Sequence, residues 1–307
     1  MTTPKNVAVV GPANSGKTHL FLTIKKRFTE SSIVNYCTSV YGPTRNYLYD
    51  VEQQMLEDGA VGRTPGDVFN SICMEFVPVR GAPGYSNWNG MRNKPQHFAY
   101  VMGFDVSGEK FDELSRLRSQ DGRTLDSMTV EEINALANLN NSFKEYQTPL
   151  RTVHTADAFL FLVNSQLLPE TVPEQIRNGT KVYSAEEIEK LRNQYCLNAN
   201  RVLGLILNAS YHHEGLGQGV RSKKPVVLAF TKKDLFDHDP SKNEETLAKD
   251  NLSEIHSAMT NKFMRKNLRF IYTTVGVRYD SGRRIFDSSK EEGIVEAVQF
   301  ILDRIVG

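Results

Sequence analysis

Three cysteines, Cys37, Cys73 and Cys196, are too few for a disulfide framework in a chain of 307 residues, and they lack metal-ligand spacing. They read as reduced thiols, which excludes the small disulfide-stapled secreted class and the Cys-rich zinc modules. A charge of one sign is also missing. Lys and Arg number 37 against 36 Asp and Glu, a formal net charge of +1, which gives no electrostatic footprint for nucleic acid or an anionic membrane. No apolar run approaches the roughly 20 residues that cross a bilayer. Residue 2 is Thr and the chain ends Arg304-Ile305-Val306-Gly307, so neither a myristoylation nor a prenylation box is present. Met1 to Lys5 lead straight into an apolar strand pattern without the regions of a signal peptide, and the expected location is cytoplasmic. No internal repeat of fixed period occurs. The single tryptophan, Trp88, stands in a Gly/Asn/Pro-rich stretch over 81–96, where capping a core edge is its expected role.

What is present is ordinary globular material, 39% hydrophobic and 24% charged, and enough of it for one large domain with insertions or a domain plus subdomain. Apolar strand patterns at 7–10, 31–37, 69–80, 97–104, 156–163, 225–230 and 268–274 alternate with helical-period segments. The helical segments fall at 18–26, 46–56, 111–118, 130–146, 185–207, 244–263 and 291–305, and the fourth opens on a capping-box pattern, Thr129-Val130-Glu131-Glu132. The near-continuous apolar run at 156–163 is what a parallel sheet with both faces covered requires. The sequence therefore predicts an α/β fold with a mostly parallel central sheet and helices on both faces.

The stretch around which the rest is arranged is Gly11-Pro12-Ala13-Asn14-Ser15-Gly16-Lys17-Thr18. It fits G-x-x-x-x-G-K-[ST] between a predicted strand and a predicted helix. Gly11 and Gly16 let the backbone fold around a phosphate chain, Ser15 and His19 flank the cradle, and the helix adds its positive N-terminal end. Lys17 would reach the β- and γ-phosphates, and the Thr18 hydroxyl would bind Mg²⁺.

Two further motifs follow in order. Asp105-Val106-Ser107-Gly108 ends a strand and fits D-x-x-G, with Asp105 placed to hold Mg²⁺ through water and the Gly108 N–H to sense the γ-phosphate. Thr231-Lys232-Lys233-Asp234 fits [NT]-K-x-D. Guanine presents two donors on one edge, so a carboxylate at Asp234 accepts from both, whereas adenine would leave it unpaired. The Lys232 stem would lie against the base plane. Thr273-Thr274-Val275-Gly276 follows a strand as a weaker fourth element.

With these motifs in this order the chain resembles the P-loop GTPases of the translation-factor-like class, the superclass of Ras-like and Era/MnmE-like proteins. The resemblance implies a three-layer nucleotide-binding domain, GTP and GDP as ligands, Mg²⁺ as cofactor, and an effector or activating protein as partner. It implies guanine contacts from Thr231, Lys232, Asp234, Thr273, Thr274 and Val275. The spacing departs from compact members: 88 positions separate Lys17 from Asp105 and 129 separate Asp105 from Asp234. Residues 1–307 are then a single nucleotide-binding domain with insertions near 42–66, 81–96 and 164–224, the last an inserted helical block.

The resemblance also assigns roles near the reacting phosphate. Asn14 occupies the position where potassium-activated members help coordinate K⁺; equally, an Asn there tolerates a left-handed backbone. Glu109 stands where many relatives carry a water-orienting Gln, which implies slow intrinsic hydrolysis. The resemblance implies a threonine joining Mg²⁺ to the γ-phosphate, for which Thr64 is the first choice and Thr44 the second; each equally fits an ordinary turn threonine. The alternatives in other classes are an ATP-using P-loop NTPase or kinase, and a non-hydrolysing nucleotide-binding scaffold. His212-His213-Glu214 reads as a helix end or loop rather than a metal site, and 221–224 as a solvated basic lead-in to the next strand.

Overall fold

The computed structural model describes residues 5–12, 15–30, 35–40, 42–58, 70–79, 99–105, 122–124, 128–129, 131–132, 135, 154–165, 184–233, 242–280 and 283–306. Its strands are β1 (Lys5–Val10), β2 (Tyr36–Val40), β3 (Asn70–Pro78), β4 (Ala99–Asp105), β5 (Ala158–Asn164), β6 (Val226–Thr231), β7 (Leu268–Tyr272), β8 (Val277–Asp280) and β9 (Arg283–Phe286). Its helices are α1 (Lys17–Glu30), α2 (Gly42–Asp58), α3 (Ala185–His213), α4 (Glu244–Asn251), α5 (Ser253–Lys262) and α6 (Ile294–Ile305).

Seven strands form one sheet in the order β2-β3-β4-β1-β5-β6-β7. β4, β1, β5, β6 and β7 are mutually parallel, and β3 alone is reversed, antiparallel to both neighbours. The period of two sorts the side chains into two cores. Val7, Val9, Leu160, Leu162, Val227 and Ala229 face α1, α2 and α6. Ala8, Val10, Phe159, Phe161, Val163, Leu228 and Phe230 face α3, α4 and α5. Every residue of β5 and of β6 is buried, and so both read as unbroken apolar runs.

The helices follow the complementary period. Ile294, Ala297, Val298, Ile301 and Leu302 make the buried stripe of α6. The 29-residue α3 starts at a capping box in which Glu187 N donates to Ser184 Oγ and Ser184 N donates to Glu187 Oε2. It lies within the block expected over 164–224 and carries the helix expected over 185–207 on to His213. Its first half leaves Leu191 and Leu197 exposed, while Ala199, Val202, Leu203, Ile206 and Leu207 pack on the sheet. Joining two parallel strands, β5 and β6, needs such a crossover.

Several sequence expectations move. The strand expected at 31–37 stands at Tyr36–Val40, because Tyr36 and Thr38 are the residues that alternate into the core. α2 begins at Gly42 rather than at 46, with Pro43 in its first turn, where a missing N–H costs nothing. The single helix expected over 244–263 is two. Leu252 leaves helical geometry, and Asn200 of α3 caps the restart by accepting from Glu254 N at 2.9 Å and Ile255 N at 3.0 Å. The strand expected over 268–274 stops at Tyr272, the helix expected from 291 begins at Ile294, and the β8–β9 hairpin between them was not foreseen. The capping box at Thr129 is present: Thr129 N donates to Glu132 Oε2 at 2.8 Å and Glu132 N to Thr129 Oγ1 at 3.2 Å. The segment 111–118 and Trp88 lie outside the described residues.

Candidate functional site

The parallel strands deliver their C-terminal ends to one rim of the sheet, where open α/β folds bind ligands. β1 ends at Val10 and the chain passes into Gly11 against β5. A Cβ on Gly11 would sit 2.6 Å from Leu162 O and 2.5 Å from Ser15 Oγ, so only glycine allows this approach. Gly16 has φ +83°, the left-handed geometry that lets the turn close into α1. Ser15 N donates to Pro12 O at 3.3 Å across the same turn.

Lys17 opens α1 and is buried, 4% exposed. Its ammonium donates to Gly11 O at 2.9 Å and Pro12 O at 3.0 Å, folding the side chain back over its own loop. The first turn of α1 carries no acidic residue, so no carboxylate offsets the positive end of the helix. Ser15 Oγ is fully buried and has no hydrogen-bond partner among the described residues. A cradle that a single methyl would fill, a buried ammonium, a helix N-terminus and an orphaned hydroxyl together fit a phosphate chain. Thr18 is buried beside them, 8% exposed, and His19 follows in the same turn.

The second motif segment meets this loop. A Cβ on Gly16 would lie 3.9 Å from Thr231 Oγ1, and that hydroxyl donates to Val163 O at 3.2 Å. Lys232 has φ +63°, the one positive φ of a non-glycine among the described residues. A left-handed L-residue costs roughly 1–2 kcal/mol, and strain of that kind gathers at functional sites. Lys233 N then donates to Thr273 O at 3.2 Å, and Thr273 N to Phe230 O at 2.8 Å, which brings the loop after β7 against the end of β6. Thr274 exchanges backbone hydrogen bonds with Glu292, and Val275 O accepts from Thr23 Oγ1 of α1 at 3.4 Å. The described residues of 11–18, Thr231–Lys233 and Thr273–Val275 therefore lie close together at this rim. β4 runs beside β1 with Val9 opposite Gly103, so the register carries the backbone of Asp105 level with Gly11. Asn14, Thr64, Gly108, Glu109 and Asp234 lie outside the described residues.

Thr44, the second choice for the Mg²⁺-linked threonine, sits in the first turn of α2, and its hydroxyl accepts from Cys73 N at 3.2 Å. That bond ties α2 to β3.

Two residues escape sequence reasoning. Tyr195 on α3 accepts from Asn164 N at 2.7 Å, and Asn164 is the β5 residue in register with Thr231. Burial pushes the Tyr195 phenol well above its ordinary range. Glu292 places its carboxylate 2.8 Å from Lys233 Nζ. A tyrosine at helical spacing reads as core, and a Glu 59 residues from its partner carries no local signal.

At the opposite rim, His212 and His213 end α3 as expected, with the His213 ring edge-on to buried His154 at 5.8 Å. Burial, with His213 and Lys224 nearby, pulls the His154 pKa down to about 4. Lys224 is not the solvated residue the sequence suggested. It donates to Ser210 Oγ at 2.9 Å, faces Glu214 at 3.4 Å, and burial lowers its pKa. Among the described residues no group of three or more His, Cys, Asp or Glu is placed to hold a metal, and no helix is long and apolar enough to cross a membrane.

No family model matches the chain, and no curated protein matches it. Among solved structures it is similar to the signal recognition particle receptor SRb-GTP/SRX complex from Chaetomium thermophilum. That match has 14% identity over 92% of this chain and 96% of that one, with a TM-score of 0.38. It is also similar to the Arl6 BBS3 small GTPase from Trypanosoma brucei with bound GppNp, at 12% identity over 98% and 96% of the two chains and a TM-score of 0.38.

Proposed function

We propose that this chain is a P-loop GTPase that binds guanine nucleotide with Mg²⁺, hydrolyses GTP to GDP and phosphate, and acts as a nucleotide-dependent switch. The observation that carries the reading is the meeting of two motif segments far apart in sequence. Lys17 folds back onto Gly11 and Pro12, and Thr231, the first residue of the second segment, lies beside Gly16 at the C-terminal rim of a parallel sheet.

In this reading Gly11, Ser15, Gly16, Lys17, Thr18 and His19 hold the triphosphate. Thr18, Asp105 and Thr64 would hold Mg²⁺. When bound, Mg²⁺ would neutralise charge between the β- and γ-phosphates. Lys17 exchanges its loop carbonyls for phosphate oxygens and stabilises the charge that builds as the γ-phosphate leaves. Asp234 accepts from the guanine edge, Lys232 covers the base, and Thr273, Thr274 and Val275 border it. Gly108 senses the γ-phosphate. Glu109 occupies the water-orienting position without an amide donor, so turnover of the isolated chain is slow and an activating partner speeds it. Asn14 as a K⁺ ligand rests on sequence alone, and equal hydrolysis rates in KCl and NaCl would remove it.

Single-turnover hydrolysis of radiolabelled GTP tests the reading. Phosphate release above background from the wild type, lost in Lys17→Ala, is the expected result. Release from ATP but not GTP would favour the ATP-using alternative, and none from either would leave a nucleotide-binding scaffold.

A further inference from the structure

We infer that Glu292 is a positioning residue for purine binding: through Lys233 it fixes the end of β6, and so sets how long the nucleotide stays bound. The inference rests on the guanine-nucleotide reading above.

Three elements meet at this point. Lys233 is the position that the [NT]-K-x-D pattern leaves free, and it precedes Asp234 directly. Its N–H donates to Thr273 O at 3.2 Å, and its ammonium lies 2.8 Å from Glu292 Oε2. The backbone of Glu292 is held independently, since Thr274 N donates to Glu292 O at 3.0 Å and Glu292 N donates to Thr274 O at 3.2 Å. One partner of the ion pair therefore stands on a fixed backbone, and less freedom is lost in forming it. The other stands next to Lys232, whose left-handed φ of +63° persists only while its surroundings hold it.

Of the two adjacent acids, Glu292 is the one that reaches Lys233. Glu291, the adjacent acid, turns away: its carboxylate accepts from Ile294 N at 3.1 Å and faces Arg27 at 3.8 Å. The Lys233 and Glu292 side chains are partly exposed, 37% and 61%, so salt screens their attraction. The effect belongs in nucleotide release, where a small shift in loop geometry is read directly, rather than in global stability.

The test uses the full chain loaded with methylanthraniloyl-GDP and chased with excess GDP. Release is followed for wild type, Glu292→Gln, Glu292→Lys, Lys233→Glu and the charge-swapped double variant. At low salt, Glu292→Gln should speed release about two- to fivefold, the size expected for an exposed pair. Glu292→Lys should speed it about three- to tenfold, because repulsion replaces attraction. The swapped double variant should return to within about twofold of wild type, and about 1 M NaCl should erase most of the differences. Release at the wild-type rate in both Glu292 variants, or a double variant no slower than Glu292→Lys, would overturn the assignment. A wild type that takes up no guanine nucleotide would remove the site reading itself, a result visible before any variant is compared.

Discussion

Tyr195 Oη and the backbone N–H of Asn164 meet at 2.7 Å at the edge of the core. This bond pins the end of β5 to helix α3 at the point where Asn164 stands opposite Thr231 in the sheet. Tyr195→Phe removes this acceptor from the Asn164 N–H, a loss of about 1 kcal/mol. Urea unfolding should show that loss with an unchanged m-value. GDP release should also quicken, because Thr231 loses a fixed neighbour. An unchanged midpoint would mean that water or another group replaces the phenol.

Gly11→Ala directs a methyl at Leu162 O and Ser15 Oγ, at 2.6 Å and 2.5 Å. Both neighbours sit on packed backbone or in the loop itself, so the turn must open rather than a surface side chain yield. Nucleotide binding should fall below detection by titration, while far-ultraviolet circular dichroism stays that of the wild type. Binding within a few-fold of wild type would show that the cradle is not where phosphate sits.

Lys232 allows two roles to be separated. Glycine accepts φ +63° without strain, so Lys232→Gly should leave thermal stability unchanged or slightly raised while guanine affinity falls. Lys232→Val should instead destabilise the fold, since a β-branched residue resists that geometry. Equal affinity in wild type and Lys232→Gly would remove the stem from base contact.

His154 gives the acid limb of stability. Its side chain is buried, neither ring nitrogen has a hydrogen-bond partner among the described residues, and its folded pKa is about 4 against about 6.5 unfolded. Between those values the unfolded chain binds the proton and the folded chain does not. Stability is therefore intact above about pH 6.5 and is lost as the pH falls towards 4, on the order of 3 kcal/mol in full. Denaturant midpoints from pH 7 to pH 4.5 measure this, and His154→Leu should flatten the curve. A wild-type-like slope in that variant would assign the acid sensitivity elsewhere.

The turn at 11–18 was legible because its pattern is local: two glycines, a lysine and a strand-to-helix transition lie within one stretch. The sheet core was legible for a related reason, since β5 and β6 are buried on both faces and so are written in apolar residues throughout. What stayed hidden depends on distant partners. Leu252 breaks a segment of good helical pattern because Asn200, on another helix, supplies the cap for Ser253 onward. Lys224 looks like one of a solvated basic run until Ser210 of α3 and Glu214, the residue that caps its end, enclose it. The β8–β9 hairpin is short and carries Arg278, Asp280, Arg283 and Arg284, which mask strand alternation. Tyr195 and Glu292 act through contacts with no sequence period at all.

The purine preference is best measured by calorimetric titration of the nucleotide-free chain with GDP, ADP and XDP in Mg²⁺. GDP should bind at least about a hundredfold tighter than ADP, and Asp234→Asn should move the preference from GDP to XDP. Equal affinity for GDP and ADP, or a GDP affinity indifferent to Asp234→Asn, would contradict a guanine site built from the Lys17 loop and the end of β6.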